Sequence, residues 1–227
     1  MADRSHSNLK SRFRYAWYEY LRIYCNIVGV LFLRVRYFGL RNVLDLTPGR
    51  GLVIISNHQS HFDPPLIGMG MQIHLCYMAR ESLFRFGPFA WLIRSLDAIP
   101  INRDGIGLGG IKAALRLLKG GRAITLFPEG TRTTDGTIGK FKPGFSTLAR
   151  RTRVPILPVA IEGAFDVWPK GNLLPGFGHV FIRYGRPIEP EEYETMDERE
   201  LVAEVRRRVG RALEQLHEHP RFAKRRR

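Results

Sequence analysis

Acidic residues are scarce in this chain. Asp and Glu number 21 against 36 Lys and Arg over 227 residues, a formal net charge of +15. That imbalance points to an anionic partner: a nucleic acid, an anionic membrane surface or a phosphorylated substrate. Cysteine is nearly absent too. Cys25 and Cys76 are the only two, too few for a disulfide framework or a four-thiolate zinc site, and a reducing compartment is the simpler reading. Long apolar runs are missing. The most apolar stretch, Ile23 to Leu33, is interrupted by Asn26 and has no Ala-x-Ala cleavage pattern, which argues against a signal peptide. It also falls short of the ~20 apolar residues that a spanning helix needs. No internal repeat is present. What the chain does have is 44% hydrophobic residues, enough to bury the core of one large domain.

Around the apolar run sit Tyr15, Trp17, Tyr18, Tyr20 and Tyr24, together with Arg12, Arg14, Arg22, Arg34 and Arg36. Aromatic rings and arginines flanking a modest apolar run suit a membrane–water interface. The other reading is an ordinary helix docked on the core with its arginines in water.

The rest alternates between strand-like and helix-like segments. Gly51 to Ser56 is a fully apolar, β-branched run, the pattern of a buried strand. Ile73–Ala79, Ala98–Ile101, Arg122–Phe127, Ile156–Ile161 and His179–Tyr184 are further strand candidates. Pro155 and Pro158 predict an edge or interrupted position for the fifth of these six. Ile106–Lys119 has helical spacing and is stopped by Gly120-Gly121, Gly144–Arg150 reads as a short helix, and Glu198–Leu216 as an amphipathic one. The expected fold is α/β: a single layered domain with a mostly parallel central sheet flanked by helices, plus an N-terminal amphipathic membrane-associating helix. The segments are 1–40 (interfacial helix), 41–217 (the layered domain) and 218–227 (a basic tail, expected to fray from Arg221 on).

Four polar or proline-bounded blocks fall at predicted strand ends. After the first strand come Asn57, His58, Gln59, Ser60, His61, Phe62 and Asp63, then Pro64-Pro65. The carboxyl ends of strands form the crevice of open α/β sheets. A His five positions before an Asp in a turn can lend one ring nitrogen to the carboxylate and keep the other as a base for a hydroxyl. Equally, Asp63 can be the N-cap of a proline-started helix, with His58 a plain loop residue. His58, His61 and Asp63 match no usual zinc signature. The second block is Phe127-Pro128-Glu129-Gly130-Thr131-Arg132. Arg132 offers a planar fork for a phosphate, and Gly130 a close backbone approach. Glu129 could orient Arg132 or accept from a substrate hydroxyl, and a turn with a local salt bridge is the alternative. The third block ends at Arg103. The fourth, Val154 to Pro158, is apolar and could line a pocket for a fatty chain.

Taken together, the blocks resemble the glycerolipid acyltransferases that include the 1-acyl-glycerol-3-phosphate acyltransferases. Asn57, His58 and Asp63 correspond to the family's Asn-His-x4-Asp block, and Phe127 to Arg132 to its Phe-Pro-Glu-Gly-Thr-Arg block. Ala98 to Arg103 correspond to its arginine-ended block, and Val154 to Pro158 to its Val-Pro-hydrophobic-Pro block. One departure is Asp97, where many relatives carry Gly. The resemblance implies that His58, held by Asp63, deprotonates an acceptor hydroxyl, which attacks a fatty acyl thioester directly. The absence of a Gly-x-Ser-x-Gly elbow agrees with this. It implies that Arg103, Glu129, Gly130, Thr131 and Arg132 bind the acceptor. No metal or prosthetic group is needed, since acyl-CoA or acyl carrier protein serves as donor substrate.

The implied partners are an anionic membrane surface, a lysophospholipid acceptor and the acyl donor, with no nucleic acid. The implied location is the cytoplasmic face of a membrane, in peripheral or monotopic attachment. The acceptor could also be glycerol-3-phosphate, another lysophospholipid or a lyso-aminolipid. A non-catalytic membrane-binding or nucleic-acid-binding protein is the alternative from another class. It leaves the strand-end His and Glu without a purpose, and no nucleic-acid reader motif is present. The charge excess sits mainly at the ends: residues 1–50 carry nine Lys and Arg against three acids, and the last seven residues carry five against none. That distribution favours attachment to an anionic membrane over nucleic-acid binding.

Overall fold

The β-branched run after Gly51 forms the middle of a seven-stranded sheet. The computed structural model describes residues 2–44, 46, 49–71, 73–85, 87–101, 107–172 and 174–223. In chain order the elements begin α1 (Ala2–Leu33), β1 (Arg36–Phe38), α2 (Arg41–Leu44), β2 (Leu52–Ser56), α3 (Asp63–Met69) and β3 (Leu75–Arg80). A 3-10 turn (Glu81–Arg85) leads to α4 (Gly87–Ser95), β4 (Ile99–Ile101), α5 (Leu108–Lys119), β5 (Ala123–Leu126), α6 (Gly144–Thr152) and β6 (Ile156–Glu162). The chain continues through α7 (Ala164–Val167), β7 (Phe181–Tyr184), α8 (Pro190–Tyr193), α9 (Glu198–His217) and α10 (Pro220–Ala223).

Strand order is β1-β7-β6-β2-β5-β3-β4. Every neighbouring pair runs parallel except β6 with β7. The fold is therefore a mixed α/β single sheet covered by helices. Alternate residues of β2 enter opposite layers: Leu52 and Ile54 pack with Leu66, Ile67 and Met69 of α3, whereas Val53 and Ile55 pack with Leu118 of α5, Leu148 of α6 and Val205 of α9. A strand covered on both faces has no polar side, which is why its sequence does not alternate. Gly121, at φ +78°, ends the turn after α5, and any Cβ there would run into the Gly49 carbonyl.

Three expectations are corrected. β6 is no edge strand; it lies between β7 and β2. The N–H and C=O of a strand residue point to the same side. The Pro158 carbonyl accepts from Gly185 N on the β7 side, at 2.8 Å, so the missing N–H falls at the open end of that antiparallel ladder and β2 loses nothing. The block Val154 to Pro158 lines no separate fatty-chain pocket: Val154 and Ile156 are buried in one core layer and Leu157 in the other. The tail is ordered further than expected, since α10 seats Phe222 (4% exposed) against Phe181 and His217; residues 224–227 lie outside the described residues.

α1 carries two faces. Tyr18 is buried, its hydroxyl accepts from Leu75 N at 3.2 Å, and its ring lies on His74. Asn26 Nδ2 donates to Met69 O at 3.1 Å. On the other side Tyr20, Ile23, Tyr24, Ile27 and Leu31 are exposed, a stripe at helical spacing. Among the described residues no helix is long and apolar enough to cross a membrane. The sheet reaches back to Arg36, so the stretch 1–40 supplies its edge strand β1.

Candidate active site

The carboxyl ends of β2 and β5 are neighbours, because these strands pair from Leu52 with Ala123 to Ile55 with Leu126. The residues that leave them therefore meet. Past Ser56 the backbone turns out of the sheet, and the buried Asn57 side chain takes its place on β6. Its Nδ2 donates to Ile161 O and its Oδ1 accepts from Ile161 N, both at 2.9 Å. Gln59 and Ser60 tie the same loop to α7 and to Trp168 at its end: Gln59 Oε1 accepts from Phe165 N at 3.2 Å, and Ser60 Oγ donates to Trp168 O at 3.1 Å.

This anchored loop returns Asp63 to His58. His58 Nδ1 lies 2.7 Å from Asp63 Oδ2. The same oxygen accepts from Gln59 N at 2.6 Å and Ser60 N at 2.8 Å. Asp63 is fully buried and opens α3 with Pro64 in its first turn. The N-cap reading is corrected: Phe62 caps α3 and Asp63 is its first residue, whose carboxylate turns back to the preceding loop and to the His58 ring. With Nδ1 facing the carboxylate, Nε2 is the nitrogen left for a substrate proton.

The Phe127–Arg132 block packs on the other side of His58. The Phe127 ring stacks on the imidazole, centroids 4.1 Å apart and planes at 19°. Thr133 N donates to His58 O at 2.8 Å. Glu129 Oε1 accepts from His58 N at 3.0 Å and its Oε2 from Gly139 N at 3.2 Å. Burial pushes the Glu129 carboxyl above its ordinary range, and the two backbone N–H donors pull against that. Both carboxylate oxygens thus serve backbone donors, an arrangement that block spacing alone does not reveal.

Gly130 (φ +74°) and Thr131 are exposed, and Arg132 is half-buried at the foot of this turn. Two lysines missed by the sequence reading stand beside it. Lys142 crosses the face of Gly130, its Nζ 2.9 Å from where a Cβ would sit. Lys170 Nζ lies 3.4 Å from Thr131 Oγ1. Lys142 follows Phe141 shortly after the block and could have been sought there; Lys170 arrives from a loop almost forty residues on and carries no local signal. Arg103 lies outside the described residues. Asp97, the departure from the family's Gly, adopts φ +55° and binds Arg122 Nη2 at 2.8 Å, so it takes the left-handed backbone that glycine adopts freely. Among the described residues no group of three or more His, Cys, Asp and Glu side chains is placed to hold a metal ion.

A layered α/β sheet thus carries a carboxylate-held imidazole and a cationic turn on adjoining strand ends. The family model described as Acyltransferase matches residues 34–162, more than half of the chain. The chain belongs to that family. It is 28% identical over 178 residues to the 1-acyl-sn-glycerol-3-phosphate acyltransferase of Bacillus subtilis, covering 77% of this chain and 85% of that one. It is 28% identical over 186 residues to the chloroplastic 1-acyl-sn-glycerol-3-phosphate acyltransferase BAT2 of Brassica napus, covering 79% of this chain; the chain spans about half (53%) of that relative's length. The crystal structure of the 1-acyl-sn-glycerophosphate (LPA) acyltransferase PlsC from Thermotoga maritima superimposes with a TM-score of 0.79 at 28% identity, covering 92% of this chain and 83% of that one.

Proposed function

We propose that the protein transfers a fatty acyl group from acyl-CoA or acyl carrier protein to the free hydroxyl of 1-acyl-glycerol-3-phosphate, giving phosphatidic acid. The observation that carries this reading is the 2.7 Å His58–Asp63 pair set against the Gly130–Arg132 turn. His58 Nε2 removes the hydroxyl proton while the oxygen bonds to the thioester carbon. The C–S bond then breaks, and the departing thiolate takes the proton from the imidazolium. Asp63 holds the ring and offsets its transient charge, a general-base contribution of ~10²–10⁴-fold. Arg132, with Lys142 and Lys170 beside it, supplies positive charge for the acceptor phosphate, and Arg103 is proposed to assist. Glu129 serves the acceptor indirectly, by bracing His58. No metal or prosthetic group enters the scheme.

In this reading the exposed stripe of α1 within segment 1–40 faces the lipid, 41–217 is the acyltransferase domain and 218–227 a basic tail. The cationic ends and the exposed stripe of α1 hold the protein peripherally or monotopically on the cytoplasmic face of an anionic membrane. The names of the relatives favour lysophosphatidic acid over glycerol-3-phosphate, other lysophospholipids and lyso-aminolipids. A screen of these acceptors with one fixed acyl-CoA is the test. Turnover highest with lysophosphatidic acid, and abolished in His58→Ala, is the expected result. Undiminished turnover in that variant removes His58 from the base role.

A further inference from the structure

Phe177, one of the most exposed large apolar side chains among the described residues, is far from α1 in sequence and beside it in space, and Leu174 precedes it by three residues on the same loop. Phe177 is 81% exposed and Leu174 75%. Phe177 stacks on Phe32, centroids 5.6 Å apart, and Phe32 and Leu31 (68% exposed) lie in the last turn of α1. The backbone fixes this neighbourhood: Gly178 N donates to Phe32 O at 3.4 Å and Val180 N to Leu33 O at 3.0 Å. The segment is also held from inside, since Gly176 N donates to Val167 O at 2.8 Å. The apolar side chains therefore stand on a tethered loop. One cation borders the patch, and a second stands on the same loop, turned toward Thr131. Arg34 is exposed at the end of α1, its Nη1 3.4 Å from His179 Nε2, and exposed Lys170 lies at the other end of the loop. Large exposed apolar side chains with a cationic border suit an anionic lipid surface.

We infer that Leu174 and Phe177 form a second bilayer contact, continuous with the α1 stripe, by which the loop before β7 seats in an anionic lipid surface. This inference rests on the membrane part of the reading above and adds to it a contact outside the N-terminal helix. The geometry also links that contact to the site. Trp168, at the root of the loop, packs on Phe62 at 4.7 Å and on His61 at 5.2 Å, and Lys170 meets Thr131. A bilayer-seated loop would thus set the height of the site above the lipid from which an acceptor arrives.

Co-sedimentation of the full-length chain with vesicles of equal phosphatidylglycerol and phosphatidylcholine tests it. The double variant Leu174→Ser/Phe177→Ser is compared with Leu108→Ser, which removes an equally exposed side chain (80%) from α5 on the opposite layer of the sheet. The expected result is a partition coefficient about tenfold lower for the double variant, equivalent to about 1.4 kcal/mol. Leu108→Ser should bind like the parent, and melting temperatures should stay unchanged. Equal partition of the double variant and the parent overturns the inference. So does an equal loss in Leu108→Ser, and so does sedimentation velocity showing a dimeric parent and a monomeric double variant, which would assign the patch to a second copy of the chain. Turnover on a short-chain, water-soluble lysophosphatidic acid without vesicles is measured alongside and should be the same in all three proteins. Absent turnover in the parent would sink the acyl-transfer reading, while partition alone decides the loop contact.

Discussion

Glu129 holds the backbone of His58 and leaves its ring to Asp63. Its Oε1 accepts from His58 N at 3.0 Å, whereas His58 Nδ1 meets Asp63 Oδ2 at 2.7 Å. Two carboxylates from neighbouring strand ends thus fix one imidazole. Glu129→Gln keeps the shape but turns an amide N–H toward one of two backbone donors. Loss of this brace should lower kcat by about 10²-fold, the scale of a 1 Å misplacement, with the acceptor KM nearly unchanged. Steady-state kinetics with varied acceptor check this, and a rise in KM at constant kcat would assign Glu129 to the acceptor directly.

Arg132→Ala is expected to show the opposite split. Removing a charged partner of a phosphate costs about 1.5–3 kcal/mol, so the acceptor KM should rise at least about tenfold while the donor KM changes little. Equal changes in both constants would contradict a phosphate contact.

Asn57 should matter for folding before chemistry. Asn57→Ala strips both partners from Ile161 N and Ile161 O, which lie fully buried on β6. Two orphaned backbone groups cost about 3 kcal/mol together, or about 6–12 °C in a chain of this size. Calorimetry reads this, and an unchanged melting temperature would show that the loop re-pairs elsewhere.

Glu204 on α9 gives a pH signature. Hydrogen bonds from Arg207, then Arg208, lower its pKa from 4.5 to about 2. A carboxylate with a depressed folded pKa contributes stability above its unfolded pKa and loses it as pH falls through the folded value. The parent should therefore outlast Glu204→Gln by about 1 kcal/mol at pH 7. The gap should close between about pH 4.5 and 2 in urea titrations. A gap that persists at the acid end would point to packing.

The middle of the fold can be read directly because β2 and β5 are short apolar runs buried on both faces. β6 escapes such a reading for a physical reason. A proline in the sequence announces a missing N–H, but only the partner strands decide whether that N–H is needed. β1 gives no signal at all: Arg36, Tyr37 and Phe38 look like the basic, aromatic segment before them, and their strand state is created by β7, which pairs Arg36 with Phe181. At the site the contiguous blocks supply His58, Asp63 and Arg132. Lys170 and the Glu129 brace depend on contacts between distant loops, and spacing carries no record of those.

The ties between the strand-end loops have one more consequence. The amides of His58 and Gly139 both end on Glu129, and that of Thr133 on His58 O. These three amides are linked through one contact network, so their protection in hydrogen exchange is expected to rise and fall together. Opening the loop after β2 is therefore expected to loosen the turn after β5 with it, so the two strand-end loops should breathe as one body rather than separately.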